Sequence, residues 1–139
     1  HIDFQDYILA LTDDLISTYS INTDIFLDIK IDEVKFDIDT IIPIGLLLNE
    51  IISNTLKYAF IDRPKGRIII HLTQIDNNSF TLIAGDDGIG MDAHILDQED
   101  VSLGMELIKI FVEQLDGTIK RLEKKGTVYQ IDFKSRKKS

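Results

Sequence analysis

The sequence predicts an α+β domain, a two-layer sandwich in which a mixed sheet packs on helices. Three observations predict it. Apolar and polar residues alternate in segments that pair as hairpins. Segments with helical spacing stand between those pairs. The regular β-α alternation of a doubly wound parallel sheet is absent. The chain has 139 residues, enough for one domain with its own core. Hydrophobic residues make up 44% and charged residues 28%, the mix of an ordinary soluble globular chain. There is no cysteine, which excludes a disulfide scaffold, a Cys-ligated zinc site, an iron–sulfur cluster and a thiol nucleophile. Acidic residues outnumber basic ones 24 to 15, for a net charge of −9. That field opposes nonspecific binding to nucleic acid or anionic membrane, so a polyanionic ligand must be held by local donors or a metal. No stretch reaches the roughly 18 apolar residues of a membrane span. Residues 41–48 form the longest apolar run, and Pro43 interrupts it. The basic and apolar regions of a signal peptide are missing, and the opening without Met suggests a segment of a longer chain.

Each element follows from local pattern. In residues 4–20, Tyr7, Ile8, Leu11, Leu15 and Ile16 recur at helical spacing. Residues 25–31 alternate, with Ile25, Leu27, Ile29 and Ile31 on one face and Phe26, Asp28 and Lys30 on the other, so they form a half-buried strand. Asp39 or Thr40 caps a second helix with Pro43 in its first turn. That helix runs to about Phe60 and is apolar nearly all round, which predicts deep packing. Arg63-Pro64-Lys65-Gly66 is a turn. Residues 67–75 and 79–85 are strands joined through Asp76-Asn77-Asn78. Residues 86–101 are polar, acidic and glycine-bearing, hence a loop. Residues 104–115 form a helix that Asp116-Gly117 ends. Residues 118–123 and 127–133 make a hairpin around Lys124-Lys125-Gly126.

Four places carry candidate chemistry. Glu50, Asn54 and Lys57 stand at i, i+4 and i+7; at about 100° per residue they share one sector of an otherwise apolar helix. A polar stripe there either meets solvent or walls a ligand, with Asn offering a neutral oxygen to a hard cation, Glu a base and Lys a phosphate contact. Asp86-Asp87-Gly88-Ile89-Gly90-Met91 follows an apolar strand directly. A carboxylate at a strand end can accept from an exocyclic amine, and the glycines permit a sharp turn and close backbone approach, although Asp-Asp-Gly is also ordinary turn chemistry. Ser102-Leu103-Gly104 opens a helix, either as a plain N-cap or as a cradle whose N–H groups meet an anion. Gly126-Thr127 precedes the last strand.

Taken together and in this order, these elements resemble the ATP-binding domain of sensor histidine kinases. Asn49-Glu50-Ile51-Ile52-Ser53-Asn54-Thr55-Leu56-Lys57-Tyr58-Ala59-Phe60 resembles the N box. Asp86-Asp87-Gly88-Ile89-Gly90 resembles the G1 box, Ser102-Leu103-Gly104-Met105 the G2 region, and Gly126-Thr127 the terminal glycine-threonine. Lys57-Tyr58-Ala59-Phe60 and the short span between boxes look like a subgroup with a variant dimerisation domain and a compact lid. The resemblance covers about residues 25–133. The same superfamily holds DNA gyrase, heat-shock chaperone and mismatch-repair ATPases.

The resemblance implies the Bergerat ATP-binding fold, with the N-box helix against the sheet and ATP between that helix and a mobile lid. It implies that Asp86 holds the adenine amino group, that Asn54 ligates Mg²⁺, and that Glu50 is the catalytic residue and a second metal contact. By the same resemblance Lys57 and Tyr58 approach the phosphates and the sugar, while Gly88, Gly90 and Met91 shape the base pocket and the lid's start. Ser102, Leu103 and Gly104 lie by the phosphates, and Thr127 closes the adenine pocket. The activity implied is transfer of the ATP γ-phosphoryl group to a histidine on a dimerisation domain, for relay to a response regulator, in a cytoplasmic domain of a parent homodimer. The expected division is residues 1–20 as the end of a dimerisation helix or linker, 21–134 as the ATP-binding domain and 135–139 as a basic tail.

Three features depart from the family pattern. The histidines are His1, His71 and His94, none of them placed as a phosphoacceptor, so the fragment is not expected to phosphorylate itself. Residues 91–101 carry Asp92, Asp97, Glu99 and Asp100 but no Lys or Arg, which leaves Lys57 as the main cation. Ser102 replaces the first glycine of the G2 pair. Two alternatives stay open: an inactive nucleotide-binding or interaction module of the same fold, and an anti-sigma-factor-like serine kinase.

Overall fold

The computed structural model describes residues 2–19 and 22–135. His1 and the basic tail from Arg136 onward lie outside the described residues. Strand β1 (Ile2–Asp3) leads into helix α1 (Phe4–Tyr19); β2 (Asp24–Ile31) and β3 (Lys35–Phe36) precede helix α2 (Ile38–Asn54), which continues as a π-helical turn, Thr55–Ala59. Then come β4 (Lys65–Gln74), β5 (Ser79–Asp86), a short helix α3 (Ala93–Leu96), α4 (Glu99–Gln114) and the hairpin β6 (Thr118–Leu122) and β7 (Thr127–Lys134).

Five strands form one sheet in the order β2-β4-β5-β7-β6; β2 and β4 run parallel and every other pair is antiparallel. This is the mixed sheet of the expected sandwich. Alternation decides its two faces. Ile68, Ile70 and Leu72 of β4, Phe80, Leu82 and Ala84 of β5, and Ile131 and Phe133 of β7 are all buried, and they pack with the apolar faces of the helices. Ile44, Leu47, Leu48, Ile51 and Ile52 are buried, but Ile38, Ile42 and Leu46 form an exposed stripe, so the deep packing expected of a helix apolar nearly all round is met on one side of α2 and not on the other.

Helix α1 is built into this same core. Phe4 and Ile8 are fully buried, and Phe4 meets Phe36 edge-on at 5.3 Å, which in turn meets Phe80 at 5.0 Å. β1 pairs with β3, which ties the start of α1 to this core. Ser135, expected to begin a basic tail, is also built in: it is buried and its N–H donates to the Asn78 carbonyl at 2.9 Å.

Several boundaries differ from local expectation. Asp37 caps α2, accepting from the Thr40 N–H at 3.1 Å, and Asp39 and Thr40 lie inside the helix. Pro43 therefore falls in the second turn. The 86–101 segment is more ordered than its polarity suggests. Asp92 caps α3 through the Ile95 N–H at 2.9 Å, and α4 starts at Glu99. Glu99 and Asp100 favour a helix N-terminus through its dipole, and Val101, fully buried, anchors that turn.

On the open sheet face Asp28 is only 5% exposed. It pairs with the Arg67 guanidinium and lies 3.1 Å from His71 Nε2. Burial pushes its carboxyl up, but the His71 and Arg67 donors outweigh that and hold it below the usual carboxylate range. His71 thus sits beside the Arg67–Asp28 ion pair on the sheet.

Candidate functional site

The polar stripe of α2 faces a partner. An added Cβ on Gly104 of α4 would lie 2.8 Å from Glu50 Oε2 and 4.0 Å from Asn54 Nδ2. One turn earlier on α4, Asp100 accepts from Lys57 Nζ at 3.4 Å. The two helices therefore run antiparallel along the stripe, with Glu50 and Asn54 opposite Gly104 and Lys57 opposite Asp100. Asn54 is 5% exposed, and among the described residues no hydrogen bond reaches its side-chain amide. A polar side chain so placed is free to serve a ligand. Lys57 sits on the π-helical turn, 5.9 Å from the Tyr19 ring centroid. Single π turns recur at functional sites because they re-aim side chains within a helix.

Asp86 ends β5 at the far side of this wall. It is 2% exposed and meets three donors: the Thr55 hydroxyl at 2.7 Å on Oδ2, and the Gly88 and Thr127 N–H groups at 2.9 and 3.3 Å on Oδ1. Burial pushes its carboxyl above the usual range, against those donors. Gly88 is buried against Ala59, where the backbone leaves no room for a Cβ, and the Ile89 N–H donates to the Ala59 carbonyl at 3.0 Å. The glycine turn is thus stapled to the end of the α2 extension, so Asp86 and the stripe form one rigid unit. Asp87 has a structural role. Its Oδ1 accepts from the Arg67 N–H at 2.9 Å and its carbonyl from Arg63 at 3.1 Å. Gly90 and Met91 follow as the chain leaves the turn toward α3.

The G2 region differs from expectation. Ser102, Leu103 and Gly104 lie inside α4 and do not open it, since the Ser102 N–H already donates to the Gln98 carbonyl at 2.9 Å. The N–H groups without an intrahelical acceptor are those of residues 99–101. Asp100 occupies the space before them. Tyr58 donates to both its oxygens, at 3.1 and 2.9 Å, and Lys57 adds its charge. The Tyr58 hydrogen bond, with Lys57, holds the Asp100 carboxyl below its usual range; burial and then the Asp100 bond push the Tyr58 hydroxyl up.

Sequence reading missed four participants. Thr55 was legible in principle, because a hydroxyl on a buried helix must find a partner. Asp100 was seen only as lid charge. Arg121 supplies a cation that the lid lacks; its guanidinium donates to the Gly126 carbonyl at 3.4 Å beside the glycine turn. Tyr129 donates to Met105 Sδ at 3.4 Å. A cavity of about 320 Å³, lined by Leu96, Met105, Ile108, Ile119, Arg121 and Tyr129, opens under α4. Tyr129 is pushed up chiefly by burial, with Arg121 lowering it and Asp86 raising it, and it stands two residues along β7 from Thr127, the cross-strand partner of Asp86.

The residues fit a nucleotide with a hard cation. Asn54 and Glu50 offer oxygen donors one turn apart. Among the described residues no group of three or more metal-binding side chains converges, so a cation here would need phosphate oxygens as well. No helix of the described residues is long and apolar enough to cross a membrane.

Comparison with known proteins gives the family and the fold. The family described as histidine kinase-, DNA gyrase B-, and HSP90-like ATPase matches residues 39–137. The blue-light-activated histidine kinase 2 of Erythrobacter litoralis is 26% identical over 107 residues; the match covers 76% of this chain and 31% of that protein. The chain thus spans about a third of that relative's length. Among solved structures, the histidine kinase domain of an Erythrobacter litoralis blue-light-activated histidine kinase superposes with a TM-score of 0.80 at 22% identity, covering 95% of this chain and 61% of that one. The mycobacterial sensor histidine kinase MprB gives 0.71 at 19% identity, covering 99% of both chains. At such identities the structures speak to the fold, which they share.

Proposed function

Because this chain belongs to the histidine kinase-, DNA gyrase B-, and HSP90-like ATPase family, we propose that it is the ATP-binding catalytic domain of a sensor histidine kinase. It would transfer the γ-phosphoryl group to a histidine of a dimerisation domain, for relay to a response regulator. The observation that carries this reading is the buried Asp86 acceptor locked beside the Glu50–Asn54–Lys57 stripe. A carboxylate fixed by three donors, two on Oδ1 and one on Oδ2, keeps one acceptor site on Oδ2 for an amine, as an adenine edge requires. Asn54 and Glu50 would hold Mg²⁺, which when bound neutralises charge between phosphate oxygens. Lys57 and Tyr58 would meet the phosphates and sugar, with Ser102, Leu103 and Gly104 as the facing helix wall and Thr127 closing the base pocket. Gly88, Gly90 and Met91 shape the pocket entrance.

In the reaction a neutral imidazole nitrogen forms a P–N bond as the bond from γ-phosphorus to the β,γ-bridging oxygen breaks, and ADP leaves. Catalysis of such a displacement is chiefly positioning and charge placement. Glu50, beside Gly104, would orient the imidazole and balance the charge it gains. An ATP-using domain of this kind works in the cytoplasm of a homodimeric parent.

Calorimetry with ADP, with and without Mg²⁺, tests the reading. The wild type is expected to bind ADP, and Asn54→Ala to lose the Mg²⁺ enhancement. Glu50→Gln should keep ADP affinity but lose phosphotransfer to an added phosphoacceptor domain. No ADP binding at millimolar concentration would count against the whole reading, and full phosphotransfer by Glu50→Gln against the role of Glu50.

The Asp100 contacts add a second expectation. In this conformation a lid carboxylate occupies the cation and hydroxyl intended for phosphate oxygens. It must leave when nucleotide enters. The pair is half-exposed and screened by solvent, so the effect is modest: Asp100→Asn should tighten ATP binding by up to about fivefold. An unchanged dissociation constant would show that Asp100 does not compete.

A further inference from the structure

We propose that Thr55 is a positioning residue that selects adenine over guanine by holding Asp86 as a pure acceptor. The proposal rests on the nucleotide-binding reading above. Thr55 is 2% exposed on the π-helical turn. Its hydroxyl has one proton and two acceptors in reach, the Ile51 carbonyl at 3.2 Å and Asp86 Oδ2 at 2.7 Å. The shorter, charge-assisted bond wins while Asp86 is ionised.

The other two groups on Asp86, the Gly88 and Thr127 N–H groups, can only donate. Three fixed donors therefore match the ionised carboxylate. An ionised carboxylate accepts from an exocyclic amine and repels a carbonyl oxygen at the same place, which is the difference between the adenine and guanine edges. Burial works in the opposite direction, favouring a protonated Asp86 that could donate to a carbonyl. Asp87 next in chain adds to that pressure, and on β7 Tyr129 stands two residues from Thr127, the cross-strand partner of Asp86. Without the Thr55 hydroxyl the balance moves toward the protonated form. The hydroxyl is thus the one side-chain donor that biases this buried acid toward the state that reads an amine.

The test compares ADP and GDP affinity across pH for the wild type, Thr55→Val and Thr55→Ser. Thr55→Val keeps the shape and removes the proton. It should narrow the ADP-over-GDP preference about tenfold and move the acid limb of ADP binding up by about one pH unit, the size of one charge-assisted hydrogen bond. Thr55→Ser should restore both. Should Thr55→Val fail to fold, Thr55→Ala carries the same expectation. A folded Val or Ala variant with wild-type preference and pH midpoint overturns the proposal, as does a Ser variant that fails to rescue. If the wild type binds ADP and these variants change nothing, only this proposal fails. If the wild type binds neither nucleotide, the nucleotide-binding reading fails and takes this one with it.

Discussion

Asp86→Asn should lower ADP affinity about 100-fold while leaving the protein at least as stable as the wild type. The two effects have one origin. The variant keeps the shape of the side chain but puts an amide where an ionised acceptor stood. A charge-assisted hydrogen bond to the nucleotide is worth about 1.5–3 kcal/mol, and the upper figure applies in a site this buried. Stability goes the other way because burial holds the native Asp86 pKa above its unfolded value. Between those two values the native state binds more protons than the unfolded one, so stability falls as pH rises through that window. Above the native pKa the wild type bears that cost in full, and an uncharged amide does not. The surroundings tolerate the amide: its oxygen can accept the Gly88 and Thr127 N–H groups, and its NH₂ can donate to Thr55, whose proton then turns to the Ile51 carbonyl. Isothermal titration gives the first quantity and urea denaturation at pH 7 the second. Wild-type ADP affinity would remove Asp86 from the binding site, and a large loss of stability would show that the carboxylate is there for the fold.

Gly126→Ala should have the largest effect on stability, a loss of about 3 kcal/mol, with nucleotide binding lost alongside. Gly126 has φ +84, a conformation that costs an L-residue about 1–2 kcal/mol. A Cβ there would also press on the Asp86 carbonyl and stand 2.7 Å from the Gly88 nitrogen, an overpacking worth a further 1–3 kcal/mol or so. Both neighbours are backbone and cannot swing aside. They also hold the Asp86 turn, so the strain falls on the acceptor itself. Gly90→Ala is the internal comparison. Its φ is similar, +81, but the nearest atoms to an added Cβ are 3.7 and 3.9 Å away. It should show the conformational cost alone, about 1–2 kcal/mol. Equal losses for the two variants in urea denaturation would show that close approach contributes nothing at Gly126.

Much of the fold was legible along the chain. Alternation placed β2 within one residue, and helical spacing placed α1 within one residue, because backbone sterics and apolar burial act over a few positions. Element ends were less legible. Asp37 took the α2 cap from Asp39 because β3 ends at Phe36, a contact made with Phe4, Phe80 and Phe133. The start of α4 moved to Glu99 because Val101 finds a buried place. One apolar residue among acids carries no periodic signal, so nothing local announced that turn.

By itself, the sequence determined the α+β class, the stripe of Glu50, Asn54 and Lys57, and the acid at the end of an apolar strand with glycines after it. These depend on periodicity and on residue chemistry, both of which are local. Only the tertiary structure decided that Thr55 holds Asp86 across 31 positions and that Asp100 reaches Lys57 across 43. It alone placed Arg121 beside the glycine turn and spent the N–H groups of Ser102 and its neighbours inside a helix. The reason is physical. A hydrogen bond between distant positions is set by how α2, α4 and the sheet pack, and packing depends on the shapes of all their side chains at once.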